Sequence, residues 1–323
     1  IYWINSQYPR HELEARLKEN PNEALASEKG AYSDIGNGKT NRKNLRRSIL
    51  VGSITELNEI LKKDKKLTKE IREGLGDSAV DLVSGGPPCQ SFSLAGLRQR
   101  SNKRNSLPWA FAEFVRLTQP KMALLENVSG ILRPFKEEGG LYYAWYEVAK
   151  TFAQEGYVPL CLHVNAKYAG AAQNRPRFVM LSFRHDIALK ISRSSHLDTV
   201  LEKAISQSLV FYKKARKNPN LKFGELTCHD VEKQAGFFES DIFQPLISHR
   251  NKVISVEKAI GDLHSKKRKS KYVTQINEEA FREIKGTNTP IANHDLRNNN
   301  FVVKARFRIY QLMNIISSSA KKE

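Results

Sequence analysis

Apolar positions along this chain fall into short blocks that alternate between two spacings. Residues 79–84 form an apolar run with the length and composition of a buried strand, stopped by Gly85, Gly86, Pro87 and Pro88, which force a tight turn. Residues 107–117 carry apolar side chains at helical spacing, and 122–125 read as another buried strand. An aromatic-rich helix is predicted over 141–152, followed by strands over 158–164 and 178–183. Upstream, residues 1–4 suit a short strand and 11–18 a helix, while 21–43, rich in Asn, Gly, Ser and Lys, read as a loop or insertion. Residues 48–54 suit a strand, and after it comes a charged helix with Leu57, Ile60 and Leu61 on one face. Strands alternating with helices imply an α/β layer fold with a mostly parallel sheet. Ligands of such sheets bind at the carboxyl ends of the strands, so the loops after Ser84 and Leu125 are site candidates lying side by side.

Beyond residue 192 the pattern weakens. Two domains are expected: an α/β domain over 1–192 and a smaller region over 193–323. Residues 213–222 and 266–271 are strongly basic. They are either solvated surface or phosphate-facing segments of a nucleic-acid-reading region. No internal repeat is present.

Composition sharpens the choice of partner. The 323 residues are 40% hydrophobic, enough to bury a core, and 53 Lys and Arg against 34 Asp and Glu leave a formal charge of +19. Such an excess attracts polyanions, nucleic acid foremost, with counterion release driving the binding. The three cysteines, Cys89, Cys161 and Cys228, have neither zinc-ligand spacing nor the even count of a disulfide framework, which fits a reducing cytoplasm. No apolar run approaches the roughly 18 residues of a membrane span, and no signal-peptide pattern is visible. Residues 36–40 end like a phosphate-binding loop, but position 33, where that loop needs Gly, is Ser33. The chain starts at Ile1, as expected of a fragment.

Four segments carry the chemistry: Gly85-Gly86-Pro87-Pro88-Cys89-Gln90-Ser91-Phe92-Ser93, Glu126-Asn127-Val128, Asn165-Ala166-Lys167-Tyr168 and Gln173-Asn174-Arg175-Pro176-Arg177. In this order and spacing the chain resembles the cytosine carbon-5 DNA methyltransferase family. Residues 81–96 match its nucleophile loop almost letter for letter, 120–130 its glutamate motif, 157–180 its arginine motif, and 253–263 the stretch that follows. The resemblance is close over about residues 50–185 and looser elsewhere. Taken singly, Cys89 would be a small buried hydrophobe, Glu126 a surface acid, and Arg175 and Arg177 an exposed pair. Three motifs in one order change that. Cys161 and Cys228 are assigned to structure.

The resemblance implies a Rossmann-like domain that depends on S-adenosylmethionine, plus part of a target-recognition region. It implies that Cys89 is the nucleophile. Carbon 5 of cytosine is a poor nucleophile while the ring is aromatic. Addition of a thiolate at carbon 6 breaks that aromaticity and moves electron density to carbon 5, which then takes a methyl group from a sulfonium donor. A base removes the carbon-5 proton and the thiol leaves. An unperturbed thiol has a pKa near ~8.5, so the site must favour the thiolate. Glu126 would contact ring nitrogen 3 and the exocyclic amine, a general-acid contribution of typically ~100- to 10,000-fold. Arg177 would hold the base carbonyl oxygen, Arg175 would support it or reach a phosphate, Asn127 would brace the Pro88-Cys89 turn, and Gln173 would give further support. A stacked base must first be extruded from the duplex. Gln90, Ser91, Ser93, Arg98 and Arg100 would grip DNA flanking the target, offsetting part of that cost.

Departures from the family pattern concern the cofactor. Its Gly-rich turn is nowhere in the sequence, nor is its closing Gly-Asn-Ser-Val segment. Ser6 and Ser53 stand where acids are usual, and Ser53, Ile54, Pro88 and Leu107 remain as cofactor contacts. Truncation at both ends is the simplest account, ahead of a split or decayed enzyme, and weak or no activity is expected of these residues alone. The reading is therefore a DNA (cytosine-5-)-methyltransferase. Its expected setting is a bacterial restriction-modification system, in the cytoplasm at the nucleoid, alongside an endonuclease of the same specificity. A transfer-RNA methyltransferase with the same motifs and a non-catalytic nucleic-acid-binding relative are the alternatives. No metal is implied.

Overall fold

The computed structural model describes residues 53–74, 79–87, 106–137, 140–194, 199–260 and 300–315. The chain divides into two compact units, Ile1–Ile254 and Ser255–Glu323. The described elements of the first unit begin with helices α1 (Ile54–Lys63) and α2 (Lys65–Arg72), strand β1 (Leu82–Gly85), helix α3 (Leu107–Thr118) and strand β2 (Met122–Val128). Strands β3 (Phe135–Glu137) and β4 (Gly140–Tyr142), helix α4 (Ala144–Gln154), and the long strands β5 (Tyr157–Asn165) and β6 (Pro176–Arg184) follow. Helices α5 (His185–Ser192) and α6 (Thr199–Lys217), strand β7 (Cys228–Asp230) and the short helix α7 (Ala235–Phe238) complete it.

The main sheet has the order β1-β2-β6-β5-β7. β1 runs parallel to β2 and β7 parallel to β5, while β6 is antiparallel to both its neighbours. Among the described residues four of the five strands of this sheet therefore point one way, and the expected α/β, Rossmann-like fold with a mostly parallel sheet is the fold observed. One face of β2 and β6, formed by Ala123, Leu125, Asn127, Phe178, Met180 and Ser182, is buried throughout. That face includes the ring contact of Phe178 with Trp145 of α4.

Local chemistry sets the elements that frame the site. Pro108 in the first turn of α3 has its φ fixed for a helix start. Gln119, in the left-handed region at φ 54°, ends the helix, its N–H reaching the Val115 carbonyl. A Cβ on Gly85 would lie 2.6 Å from the Phe111 ring, so the glycine lets α3 seat directly on β1. Asn58 of α1 is buried and donates to the Ala110 carbonyl at 2.8 Å, and Arg72 of α2 donates to the Leu117 carbonyl at 2.7 Å. Tyr157 donates its hydroxyl to the Pro120 carbonyl at 2.9 Å, tying the start of β5 to the turn before β2.

Several expectations need correction. The helix expected from residue 141 starts at Ala144, because Gly140–Tyr142 pairs with Phe135–Glu137 as an antiparallel ladder. Ile54, expected at the end of a strand, opens α1 behind the extended Ser53; the rest of that span lies outside the described residues. The strand expected over 79–84 is shifted to Leu82–Gly85 and is not fully buried: Leu82 is 46% exposed, since β1 has a neighbour on one side only among the described residues. Residue 192 lies inside the first compact unit. α6 packs against β5, β7 extends the sheet, and the first unit continues to Ile254. The basic run at 213–222 begins in the last turn of α6, where cations meet the carbonyl end of the helix, with Ala215 buried behind them. The elements expected within 1–43 and the basic run 266–271 lie outside the described residues.

The second unit contains helices α8 (Val256–Ile260) and α9 (Phe301–Ile315). Among the described residues no helix is long and apolar enough to cross a membrane.

Candidate active site

β1 and β2 run parallel, so the turn that follows Gly85 and the carboxyl end of β2 meet at one edge of the sheet. Alternation along β2 then separates two neighbours. Glu126 projects from one face and is 44% exposed at its side chain, whereas Asn127 projects from the other and is buried. Asn127 donates from Nδ2 to the Pro87 carbonyl at 3.3 Å, across 40 positions of sequence, and its Oδ1 accepts the Val128 N–H at 2.8 Å. The turn leading into Pro88 and Cys89 is thus tied to β2 at its base. Gly86 permits the approach, since a Cβ there would lie 3.3 Å from Glu126 Oε2.

β6 brings the second charge. Its antiparallel register sets Arg177 opposite Val128 and Val179 opposite Glu126, on the face that carries Glu126. Arg177 Nε lies 2.7 Å from Glu126 Oε1. The contact has the distance of an ion pair without the direction of a hydrogen bond: Nε is buried and, among the described residues, has no hydrogen-bond partner. The same guanidinium donates from one terminal nitrogen to the Pro176 carbonyl at 2.9 Å. A half-open carboxylate beside a guanidinium whose side chain is still 19% exposed is a site that can accept from and donate to one planar polar molecule.

Arg175 and Gln173 are exposed. The Arg175 backbone is held at both ends: its N–H donates to Asn165 Oδ1 at 3.1 Å, and its carbonyl accepts the Ala166 N–H at 3.2 Å. The structure thus brings Glu126, Asn127 and Arg177 together, and places Arg175 on the loop leading into β6. Cys89, Pro88, Gln90, Ser91, Ser93, Arg98 and Arg100 lie outside the described residues.

Of the candidate cofactor residues, Ser53 has its hydroxyl 2.6 Å from that of Thr55, Ile54 is partly buried against the core, and Leu107 is half-buried at the start of α3. Cys161 and Cys228 sit in register on β5 and β7. Burial pushes the Cys161 thiol far up and the Cys228 thiol up to about 12, which keeps both protonated and unreactive.

A cluster at the end of β5 joins Lys167 and Tyr168 of the third motif segment to residues not singled out from sequence, His163, Asp230 and Glu232. His163 Nδ1 lies 3.0 Å from Asp230 Oδ2, and the Tyr168 hydroxyl donates to Glu232 at 2.6 Å, with Lys167 at 3.1 Å from the same carboxylate. Burial raises the Asp230 carboxyl, but the hydrogen bonds from His163 and the Glu232 N–H outweigh it and leave the group below its usual range. Asp230 and Glu232 fall where hydrophobic periodicity had faded, so no sequence signal pointed to them.

Comparison with known proteins agrees with the resemblance. Residues 42–319 match the family described as C-5 cytosine-specific DNA methylase. The Type II methyltransferase M.DdeI of Desulfomicrobium norvegicum is 36% identical over 138 residues, covering 40% of this chain and 32% of the relative. The Type II methyltransferase M.FnuDI of Fusobacterium nucleatum is also 36% identical over 138 residues, covering 42% of this chain and 39% of the relative. Each match spans well under half the length of the curated relative. Among solved structures, a DNMT2 variant from Spodoptera frugiperda aligns with a TM-score of 0.27 at 18% identity, over 43% of this chain and 36% of that one. With the family match extending over most of its length, the chain belongs to the C-5 cytosine-specific DNA methylases.

Proposed function

We propose that this protein is a DNA (cytosine-5-)-methyltransferase of the type paired with a restriction endonuclease, and that Cys89 adds covalently to the target base. The observation that carries it is the meeting of Glu126 and Arg177 at 2.7 Å, beside a turn that Asn127 fixes two residues before Cys89. Cys161 is buried and Cys228 half-buried, and burial raises both thiols, which supports Cys89 as the nucleophile.

An everted cytosine would offer ring nitrogen 3 and the exocyclic amine to Glu126 and its carbonyl oxygen to Arg177. The ring is then held over the sulfur. Addition of the thiolate at carbon 6 sends the electron pair toward carbon 5, and a proton from Glu126 at nitrogen 3 offsets the charge. Gln90, Ser91, Ser93, Arg98 and Arg100 would hold the flanking strand, and Arg175 would reach a phosphate.

The methyl donor of this family is S-adenosylmethionine, which supplies an electrophilic methyl group. Ser53, Ile54 and Leu107 offer an apolar wall and one hydroxyl already engaged with Thr55, and no carboxylate for a ribose. These three residues make only part of a donor site, the fourth candidate contact, Pro88, lying outside the described residues, so the chemistry derived for this chain is that of the base.

The test uses duplex DNA in which the target cytosine carries fluorine at carbon 5. Fluorine cannot leave as a proton does, so attack in the presence of S-adenosylmethionine should leave a covalent adduct that survives denaturation. Cys89→Ser should abolish the adduct and leave duplex binding intact. An adduct formed equally by Cys89→Ser would remove Cys89 from the reaction. Binding without an adduct from the unaltered, donor-loaded chain would mark it as a non-catalytic relative.

A further inference from the structure

The ladder between β5 and β6 ends in a bond that the backbone makes from one side only. Beyond the last pair, Asn165 with Pro176, the Ala166 N–H donates to the Arg175 carbonyl at 3.2 Å, but the Arg175 N–H returns to a side chain instead of a backbone carbonyl. At that point the Asn165 side chain, with the residue 5% exposed, takes over from the backbone. Oδ1 accepts the N–H of Arg175 at 3.1 Å and that of Lys167 at 3.3 Å, while Nδ2 donates to Asn174 Oδ1 at 2.8 Å. One amide therefore joins both sides of the loop between β5 and β6. The turn after it is anchored from outside: the Tyr168 hydroxyl donates to Glu232, and the His249 N–H donates to the Tyr168 carbonyl at 2.7 Å.

We infer that Asn165 is a positioning residue, whose side-chain amide sets where β6 begins and so places Arg177 beside Glu126. This rests on the function proposed above. Arg177 is two residues beyond the Arg175 N–H that Asn165 holds, and Pro176, with its φ fixed, links the two stiffly. Loss of the amide leaves the Arg175 N–H without its acceptor and frees the loop to shift. A misplacement of about 1 Å at a reacting centre costs on the order of 100-fold in rate.

Aspartate separates positioning from mere scaffolding. Asn165→Asp keeps the acceptor for Arg175 and loses only the donor to Asn174, whose exposed amide can turn to donate instead. Asn165→Ala loses both. The readout needs no methyl donor: the exchange of the carbon-5 hydrogen of cytosine with solvent. The Cys89 sulfur adds at carbon 6, solvent delivers a proton to carbon 5, the original hydrogen leaves as a proton, and expulsion of the thiolate restores the ring.

With the full 323-residue chain and duplex DNA tritiated at carbon 5 of cytosine, tritium release is measured at saturating DNA. Duplex affinity and the melting transition are followed in parallel. Asn165→Ala should lower release about 10- to 100-fold with affinity unchanged, and Asn165→Asp should retain most of the rate. The inference is overturned if Asn165→Ala releases tritium at the unaltered rate, if Ala and Asp fall alike, or if rate, affinity and melting decline together. Absence of release from the unaltered chain would sink the proposed function, and this inference with it.

Discussion

At the scale of single residues, the site depends on positions where an added atom has no room. Gly85 is the sharpest. Its missing Cβ is what allows the Phe111 ring to lie against β1; an added one would meet three ring atoms at 2.6 to 2.9 Å. Such distances force a rigid, buried ring to move, and overpacking of that kind costs about 1–3 kcal/mol. Gly85→Ala should therefore lower the unfolding free energy by that amount and shift the denaturant midpoint down. Phe111→Leu alone should also destabilise, by leaving a cavity behind a buried ring. The double variant should be more stable than the sum of the two predicts, because each change relieves the other. Equilibrium denaturation of all four proteins measures this, and strictly additive losses would show that the ring is not what excludes a side chain at Gly85. The strain would also reach the site, since Gly86 and Pro87, which Glu126 and Asn127 approach, follow directly.

At the scale of elements, legibility tracked length and periodicity. α3, β2, β5 and β6 were readable because seven or more residues repeat one spacing and bury one face or both. β3 and β4 were not, being three residues each, with an exposed Leu141 that carries no strand period. β7 was missed for the same reason, and with it Asp230, whose meeting with His163 depends on a register no local pattern encodes. The motif residues Glu126, Asn127 and Arg177 were legible as types; that Asn165 bridges the loop between them came only from coordinates. β7 also sets a pH dependence. His229 is 8% exposed, stacks on Phe237 at 3.9 Å, and has Nδ1 3.2 Å from Gln234 Oε1. Burial pushes its pKa down, with the Gln234 bond opposing. A histidine lowered in the folded state contributes stability that is present above its unfolded pKa, near ~6.5, and lost as pH falls through the folded value. Melting should thus decline as pH is taken below about 6.5. His229→Phe keeps a ring against Phe237 and removes the titration, so its melting should decline less over the same range. Parallel curves for the two proteins would rule His229 out as the source.

For the molecule as a whole, charge is the property the sequence settled most directly, and it governs binding more than chemistry. The formal excess of +19 is spread over the chain, with Lys213, Lys214, Arg216 and Lys217 in one stretch of α6 well away in sequence from Glu126 and Arg177. A protein of this balance should bind duplex DNA largely through phosphates, releasing counterions as it does. If about six to ten phosphates are engaged, the association constant should fall roughly 10³- to 10⁵-fold between about 50 and 200 mM salt, linearly on logarithmic axes. Cys89→Ser should give a parallel line, because a neutral hydroxyl in place of a thiol neutralises no phosphate. Base-holding groups behave differently: Arg177→Gln, in contact with the pyrimidine in the proposed arrangement, should alter discrimination for a duplex with an extrudable cytosine and leave the salt slope nearly unchanged. Anisotropy titrations over a salt series separate the two contributions. A slope near zero would mean that the basic surface does not carry the DNA, and a slope that collapsed in Arg177→Gln would move that arginine from the base to the backbone.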